Sequence, residues 1–299
     1  MLIFKDAKPN LLESSAIALG FFDGVHLGHS FVVKSMIKKA QKAGLPPCVV
    51  TFANHPLEIL QNAKVPSIVT LEKRLELLQN LGIEAVLLLD FTTDLIALSA
   101  EAYLKNILID SLHPKFITVG FNHSFGANKK GNGEFLQNNS EKYGYELLSI
   151  PPVELNSTVI SSSLIKKCIA NSDFDSTSQY LGRDFSILGE VVKGRGIGHT
   201  IGFATANLLQ DENLVEIPNG VYSGWAKVQG KKHKAMINVG TAPTLKDGQK
   251  TIEAHLLNFD KDIYYQNIEV GFVHKIRDEK KFDSKEELVA QIKKDCGRV

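Results

Sequence analysis

Ile17-Ala18-Leu19-Gly20-Phe21-Phe22-Asp23-Gly24-Val25-His26-Leu27-Gly28-His29 begins as an apolar strand, Ile17 to Phe21, and ends on two histidines three positions apart. A helical pattern follows at once, with apolar Val33, Met36 and Ile37 along one face. His26, Gly28 and His29 therefore sit where a strand hands over to a helix N-terminus, a place whose free N–H groups and dipole favour a phosphate. Gly28 lets the backbone approach a ligand closely. Two imidazoles there can donate hydrogen bonds to charge developing on a phosphoryl group. The stretch reads as a nucleotide site. The competing readings are a surface turn that carries histidines and a metal pair, since residues three apart share a helical face.

Outward from this stretch the first half alternates strand and helix. Strands are expected near Ala16 to Phe21, Cys48 to Phe52, Ala85 to Leu89, Phe116 to Val119 and Tyr145 to Ile150. Continuous apolar strands separated by helices imply a parallel sheet covered on both faces. Leu71, Leu75, Leu78 and Leu81 form one helical stripe read as core. Ligands of such sheets sit beyond the carboxyl ends of the strands, where His26 and His29 follow the first strand and His55 the second. The pattern changes after Leu181. Short strands between Gly and Pro turns are expected over Gly189 to Lys193, Gly220 to Val228, Lys234 to Val239, Thr251 to Phe259 and Ile268 to Ile276. This is the signature of a small antiparallel barrel, and a last helix begins near Ser284, whose partner Glu287 completes a capping box. The expected domains are residues 1–183, an α/β nucleotide-binding fold, and 184–299, the barrel with its C-terminal helix.

Composition excludes several classes. The 299 residues are 43% hydrophobic and 22% charged, enough for about two globular domains. No apolar run approaches the roughly 20 residues that span a bilayer, and Lys5, Asp6 and Lys8 fall where a signal peptide needs an apolar core. A cytoplasmic protein is expected. Cys48, Cys168 and Cys296 are too few and too scattered for a disulfide framework or a zinc site. A net charge of +1 offers no footprint for nucleic acid or an anionic membrane. Only five of the 34 basic residues are arginines, at positions 74, 183, 195, 277 and 298.

The ordered motifs resemble the bacterial bifunctional riboflavin kinase and FAD synthetase family. Gly20-Phe21-Phe22-Asp23-Gly24-Val25-His26-Leu27-Gly28-His29 resembles its first motif, which implies nucleotide binding by Gly20, Phe22, Asp23, Gly24 and Gly28 and catalytic roles for His26 and His29. Thr51-Phe52-Ala53-Asn54-His55-Pro56 resembles T-F-x-P-H-P with Asn54 for a proline, and His55 would contact phosphates or flavin. Residues 119–129 resemble V-G-x-D-F-x-F-G-x-x-R with Asn122 for Asp, His123 for Phe and Lys129 for Arg. The resemblance implies nucleotide binding by Asn122 and flavin binding by Phe125. Ile160-Ser161-Ser162-Ser163-Leu164-Ile165-Lys166 resembles I-S-S-T-x-x-R, hydroxyls and a cation that close the nucleotide site. Lys166 keeps the charge of the family arginine without its bidentate fork.

In the second half, residues 194–207 resemble the family's Gly-rich loop leading into G-F-P-T-A-N, with Ala204 for proline. Gly194, Gly198 and Gly202 would let backbone amides cradle ATP phosphates. Thr205 and Asn207, two apart on an extended segment, offer oxygen ligands to Mg²⁺. Glu253, in Thr251-Ile252-Glu253-Ala254-His255, matches the family carboxylate and is the candidate base toward the terminal ribityl hydroxyl of riboflavin. Gly220, Tyr222, Asn238 and Arg277 fall in motifs that would lie around the flavin, with Tyr222 and Phe282 read chiefly as packing residues. No Walker A sequence occurs.

Together these readings imply ATP-dependent conversion of riboflavin to FMN and of FMN to FAD, with Mg²⁺ as cofactor and small molecules as partners. The alternatives are a riboflavin kinase with weakened or lost adenylyltransferase, because most motif departures fall in the first half, and a non-catalytic flavin-binding protein. Oligomeric state is open.

Overall fold

The computed structural model describes residues 1–194, 198, 201–241 and 250–299. Two compact units divide the chain: Met1–Ser67 with Leu71–Ser161, and Ile68–Thr70 with Ser162–Val299.

The first unit is a six-stranded parallel sheet of β1 (Leu2–Phe4), β2 (Ser15–Leu19), β3 (Pro47–Phe52), β4 (Ala85–Leu89), β5 (Pro114–Gly120) and β6 (Glu146–Ile150). The strand order is β1-β4-β3-β2-β5-β6. Its helices are α1 (Leu27–Ala43), α2 (Pro56–Gln61), α3 (Leu71–Asn80), α4 (Thr93–Ala97), α5 (Ala100–Ala102), α6 (Asp110–Leu112) and α7 (Gly133–Tyr143), with a π-helical stretch, Tyr103–Ile109, between α5 and α6. A small hairpin, β7 (Glu154–Leu155) and β8 (Thr158–Val159), follows.

Alternate side chains of a strand face opposite ways, and here both faces are dry. Ile17, Leu19, Val50, Leu87 and Leu89 pack with Leu104, Leu108 and Leu136 on one side. Ala16, Ala18, Val49, Val86 and Leu88 pack on the other, against Val33, Met36 and Ile37 of α1 and Leu78 of α3. β3 lies on one side of β2 and β5 on the other, so the order reverses beside β2. The crevice at such a reversal is where open α/β sheets hold ligands.

The second unit contains α8 (Ser162–Ala170), α9 (Phe174–Leu181), β9 (Phe185–Glu190), β10 (Ala206–Leu209), β11 (Gly220–Val228), β12 (Lys231–Thr241), β13 (Lys250–Leu256), β14 (Asn267–Arg277) and α10 (Lys285–Cys296). The six strands form an antiparallel sheet in the order β10-β13-β12-β11-β14-β9. The sheet curls until its two edges meet: the Val192 N–H, just past β9, donates to the Asn207 carbonyl on β10 at 2.8 Å. Gly189 permits this closure, because a Cβ there would lie 2.7 Å from Leu208 Cδ2. Inside, the rings of Phe174, Phe185, Tyr222 and Phe272 pack with centroids 5.2 to 5.9 Å apart. Phe174 thereby seats α9 on the barrel, which is why the compact units part at Ser161 and Ser162 and not near Asp184.

Three further differences from the sequence reading stand out. β9 runs over Phe185–Glu190, not Gly189 to Lys193, because Phe185 and Ile187 are core residues. β1 and β10 are added strands. Ser284 caps α10 as expected, its Oγ accepting the Glu287 N–H at 3.2 Å.

Candidate functional site

In the first unit, β2 leads into a turn whose backbone is strained. Phe22 (φ 59°), Gly24 (φ 75°) and Val25 (φ 41°) all adopt positive φ. For a β-branched residue that is a rare conformation, held only when the surroundings over-determine it. Phe22 provides the anchor. It is 2% exposed, its ring fits over Gly20, where a Cβ would come within 2.9 Å of it, and its edge meets the His29 ring at 5.4 Å. Phe22 and Gly20, expected to bind nucleotide, thus shape the turn from within the core.

The turn delivers His26 to the N-cap of α1, where its Nδ1 accepts the His29 N–H at 3.3 Å. An Nδ1 that accepts implies a neutral imidazole with its proton on Nε2. The His29 ring stacks on that of His26, centroids 3.6 Å apart. Gly28 makes room for this fold-back, since a Cβ would lie 3.0 Å from His26 Cε1. Burial first, then the neighbouring His26 and Arg74, hold the His29 pKa well below its ordinary value. Its Nδ1 is buried and has no hydrogen-bond partner among the described residues. The pair consists of neutral donors at a helix N-terminus, suited to stabilise developing negative charge without carrying a formal charge of their own.

His55 caps α2, its Nδ1 accepting the Leu57 N–H at 3.1 Å, and its ring meets Phe21 at 4.5 Å. Asn54, which stands where the resembled family has proline, grips the Phe91 backbone twice: Nδ2 donates to its carbonyl at 3.0 Å and Oδ1 accepts its N–H at 2.8 Å. An amide clamp therefore fixes a turn that proline would fix by ring closure. Arg74 on α3 was not singled out by sequence. It is 3% exposed and donates from Nη1 to the Phe21 carbonyl (2.9 Å) and from Nη2 to the Phe52 carbonyl (2.5 Å). After β5, Asn122 is exposed, whereas Phe125 is buried with Tyr103 and Phe135 and offers no open face to a flavin. His123 lies beside it with a buried Nε2 that has no partner among the described residues. Burial lowers its pKa to about 4. Ser161 ends the first unit, while Ser162, Ser163 and Lys166 belong to α8 in the second.

The barrel aligns its candidates by register. Asn207 on β10 pairs with Glu253 on β13, which pairs with Asn238 on β12. The row continues through Val221 to Arg277. Directly opposed residues of antiparallel strands share a face, so the expected metal ligand, base and two flavin-side residues lie along one line. Buried rows flank it, Ala206-Ala254-Ile237-Tyr222 on one side and Leu208-Ile252-Val239 on the other. The Asn207 amide donates to the Thr205 carbonyl at 3.2 Å and fills the space a Cβ at Gly194 would take, 2.5 Å from its Nδ2. Gly198 is equally confined, 2.3 Å from the Phe203 carbonyl by the same construction. Gly202 takes φ 83°.

A cavity of about 510 Å³ opens beside Thr205, lined by Gly202, Ala204, His255, Phe259, Lys261 and Asp262 among others. That volume is in the range of small-molecule pockets. His255 Nδ1 lies 2.8 Å from the Ala204 carbonyl and ties β13 to the segment that carries Thr205. Tyr222, expected near flavin, is fully buried with its hydroxyl donating to the Pro218 carbonyl at 2.6 Å, so it is a packing residue. The Arg277 Nε donates to buried Asp295 on α10 at 2.9 Å, an anchoring contact that a flavin role would have to share. Gly220 (φ 153°) leaves no room for a side chain, with Lys275 Cε 2.8 Å from a Cβ position. Of the resembled motifs, residues 195–197, 199–200 and 242–249 lie outside the described residues. Among the described residues no three His, Cys, Asp or Glu side chains cluster as a metal site.

Comparison with known proteins adds the family. Residues 8–164 match the FAD synthetase family and residues 181–299 the riboflavin kinase family. A bifunctional riboflavin kinase/FMN adenylyltransferase of Buchnera aphidicola is 35% identical over 96% of this chain and 93% of its own. The chain belongs to the bifunctional riboflavin kinase/FMN adenylyltransferase family. The Haemophilus influenzae member of this family is 33% identical over 95% of this chain and 93% of its own. A solved structure from Streptococcus pneumoniae, described as a macrolide-efflux protein, superposes with a TM-score of 0.90 at 31% identity, covering 99% of this chain and 98% of that one. Among the described residues no helix is long and apolar enough to cross a membrane.

Proposed function

We propose that this chain phosphorylates riboflavin to FMN with ATP and adenylylates FMN to FAD with release of pyrophosphate. Residues 1–183 are assigned the second reaction and residues 184–299 the first. The observation that carries the reading is the cross-strand row Asn207-Glu253-Asn238, with a cavity of about 510 Å³ lined by Thr205 and His255, two positions from Asn207 and Glu253, in a chain that also holds the stacked His26–His29 pair.

In the kinase reaction Glu253 accepts the proton of the terminal ribityl hydroxyl as its oxygen attacks the γ-phosphorus of ATP, and ADP leaves. Asn238 and Arg277, on the far part of the row, and Gly220, one position before Val221, bound the flavin end. The confined Gly194–Asn207 packing supports a magnesium site with Thr205 and Asn207 as ligands, and the ion would neutralise charge on the phosphates. Gly194, Gly198 and Gly202 let main-chain amides face the same phosphates.

In the adenylylation an FMN phosphate oxygen attacks the α-phosphorus, and the P–O bond to pyrophosphate breaks. The attacking group is already ionised, so no protein nucleophile is required. His26 and His29 stabilise the charge that develops, with the first-turn amides of α1 beside them. Asp23, Gly24, Gly28, His55 and Asn122 bound the nucleotide.

Purified protein incubated with riboflavin, ATP and Mg²⁺, then resolved by chromatography, tests both halves. FMN and FAD together support the reading, FMN alone indicates a kinase with a silent first unit, and neither product indicates a binding protein. No chemistry here calls on nucleic acid or a lipid surface as a partner.

A further inference from the structure

We infer that Arg74 is a positioning residue for adenylyl transfer, holding the turn that carries His26 and His29 and the turn that carries His55 in one arrangement from beneath. The inference rests on the adenylylation reading above. Phe21 stands five residues before His26 and Phe52 three before His55. One guanidinium reaches both of their carbonyls, at 2.9 and 2.5 Å. The same Phe21 carbonyl accepts the Thr51 hydroxyl at 3.0 Å, so the two chain segments are joined twice over. The guanidinium also lies over the Phe21 ring, 4.3 Å from its centroid, and that ring meets the His55 imidazole at 4.5 Å. Arg74 is thus in contact with the support of all three histidines without belonging to either turn.

Stability alone does not explain an arginine here. A guanidinium on the buried face of α3 is expensive to desolvate even with buried Asp23 as a counter-charge, and its Nε is buried with no hydrogen-bond partner among the described residues. Apolar side chains fill the equivalent face elsewhere, as Leu78 does on the next turn of the same helix. What a guanidinium alone supplies is a rigid fork that two carbonyls can share, plus a fixed positive charge close beneath a site that receives phosphates. An ammonium would serve as a point charge and lose the fork.

Both reactions are measured on the intact protein carrying Arg74→Lys or Arg74→Ala. Since misplacing a catalytic group by about 1 Å can cost about 10²-fold, kcat for FAD formation should fall about 100-fold in Arg74→Ala and about tenfold in Arg74→Lys. KM for ATP should stay within about threefold, and riboflavin phosphorylation by the same samples should be unchanged. Millimolar guanidinium should restore part of the lost rate to Arg74→Ala and none to Arg74→Lys. FAD formation within twofold of the unsubstituted protein overturns the inference, as does an equal loss of both activities without rescue. Where Arg74→Ala fails to fold, the kcat of Arg74→Lys decides in the same way. Absence of FAD from the unsubstituted protein is a separate outcome that strikes down the adenylylation reading itself.

Discussion

The imidazoles of His26 and His29 stack with centroids 3.6 Å apart and planes 18° from parallel. Two positive rings at that distance would repel, and burial alone already opposes charging His29. The pair is therefore expected to stay neutral at His29 well below its ordinary pKa. Imidazole NMR resonances of His29 should show no protonation between pH 8 and pH 6, and kcat for FAD formation should show no acid limb from this residue in that window. His29→Ala should lower kcat for FAD about 10²-fold with riboflavin phosphorylation intact; an unchanged rate removes the role.

His123 links pH to stability. Burial lowers its pKa to about 4 from the ordinary 6.5. Below pH 6.5 the unfolded chain therefore binds the proton and the folded chain does not, so stability is full above pH 6.5 and falls as pH falls toward 4. By pH 5 the loss is about 2 kcal/mol, or roughly 4–8 °C in the melting temperature of a unit this size. His123→Phe, the residue of the resembled motif, should remove most of that loss while leaving the melting temperature at pH 7.5 nearly unchanged. Thermal scans at the two pH values check it.

Glu253 and its neighbours on the row invite a substitution that spares the fold. Glu253→Gln keeps size and hydrogen bonding but cannot take a proton, so riboflavin phosphorylation should drop by about 10²–10⁴. Adenylylation of supplied FMN should continue at its normal rate. Phosphorylation that survives the change assigns the base elsewhere.

How much of this was legible follows from what each signal is made of. The parallel sheet could be read because β2 to β5 are continuous apolar runs, and the His26–His29 pair because its spacing and its place after a strand are both local. β1 gives no such signal: Leu2–Phe4 is three residues long, sits at a sheet edge and runs straight into Lys5 and Asp6. Arg74 escaped because it interrupts a leucine stripe, where a charged residue reads as solvated, and its carbonyl partners lie 53 and 22 residues away. Motif aromatics carried no signal to separate core from ligand face, so Phe22, Phe125 and Tyr222 needed coordinates. The Asn207-Glu253-Asn238 row is a matter of register, fixed by strand pairing across 46 and 15 residues that spacing alone does not reveal.

Gly194 tests whether the confined packing of Asn207 matters to the kinase. A Cβ there would lie 2.5 to 2.8 Å from the Asn207 amide. The obstructing atoms belong to a side chain, so the amide should turn aside and the fold should persist. Gly194→Ala is expected to raise the magnesium concentration needed for half-maximal phosphorylation about tenfold, with FAD formation from FMN unaffected. A magnesium titration of both reactions measures the difference.

Asp295 is the last residue whose removal makes a sharp prediction. It is fully buried near the end of α10, its Oδ2 accepting the Arg277 Nε at 2.9 Å and its Oδ1 the Gln291 amide at 2.8 Å. Arg277 closes β14 and ends the polar row, so this ion pair fastens the final helix to the strand that carries a proposed flavin-side residue. Removing one partner of a buried pair leaves the other uncompensated, which costs about 3–5 kcal/mol. Arg277 keeps partial access to solvent, with 21% of its side chain exposed, so the low end of that range is expected for Asp295→Ala. The double change Asp295→Leu with Arg277→Met removes both charges and should recover more than half of the loss in urea unfolding. Riboflavin KM then separates the two duties of Arg277. If Arg277 only anchors the helix, the stabilised double variant binds riboflavin normally; if its remaining nitrogens also meet the flavin, KM rises about tenfold while stability is restored.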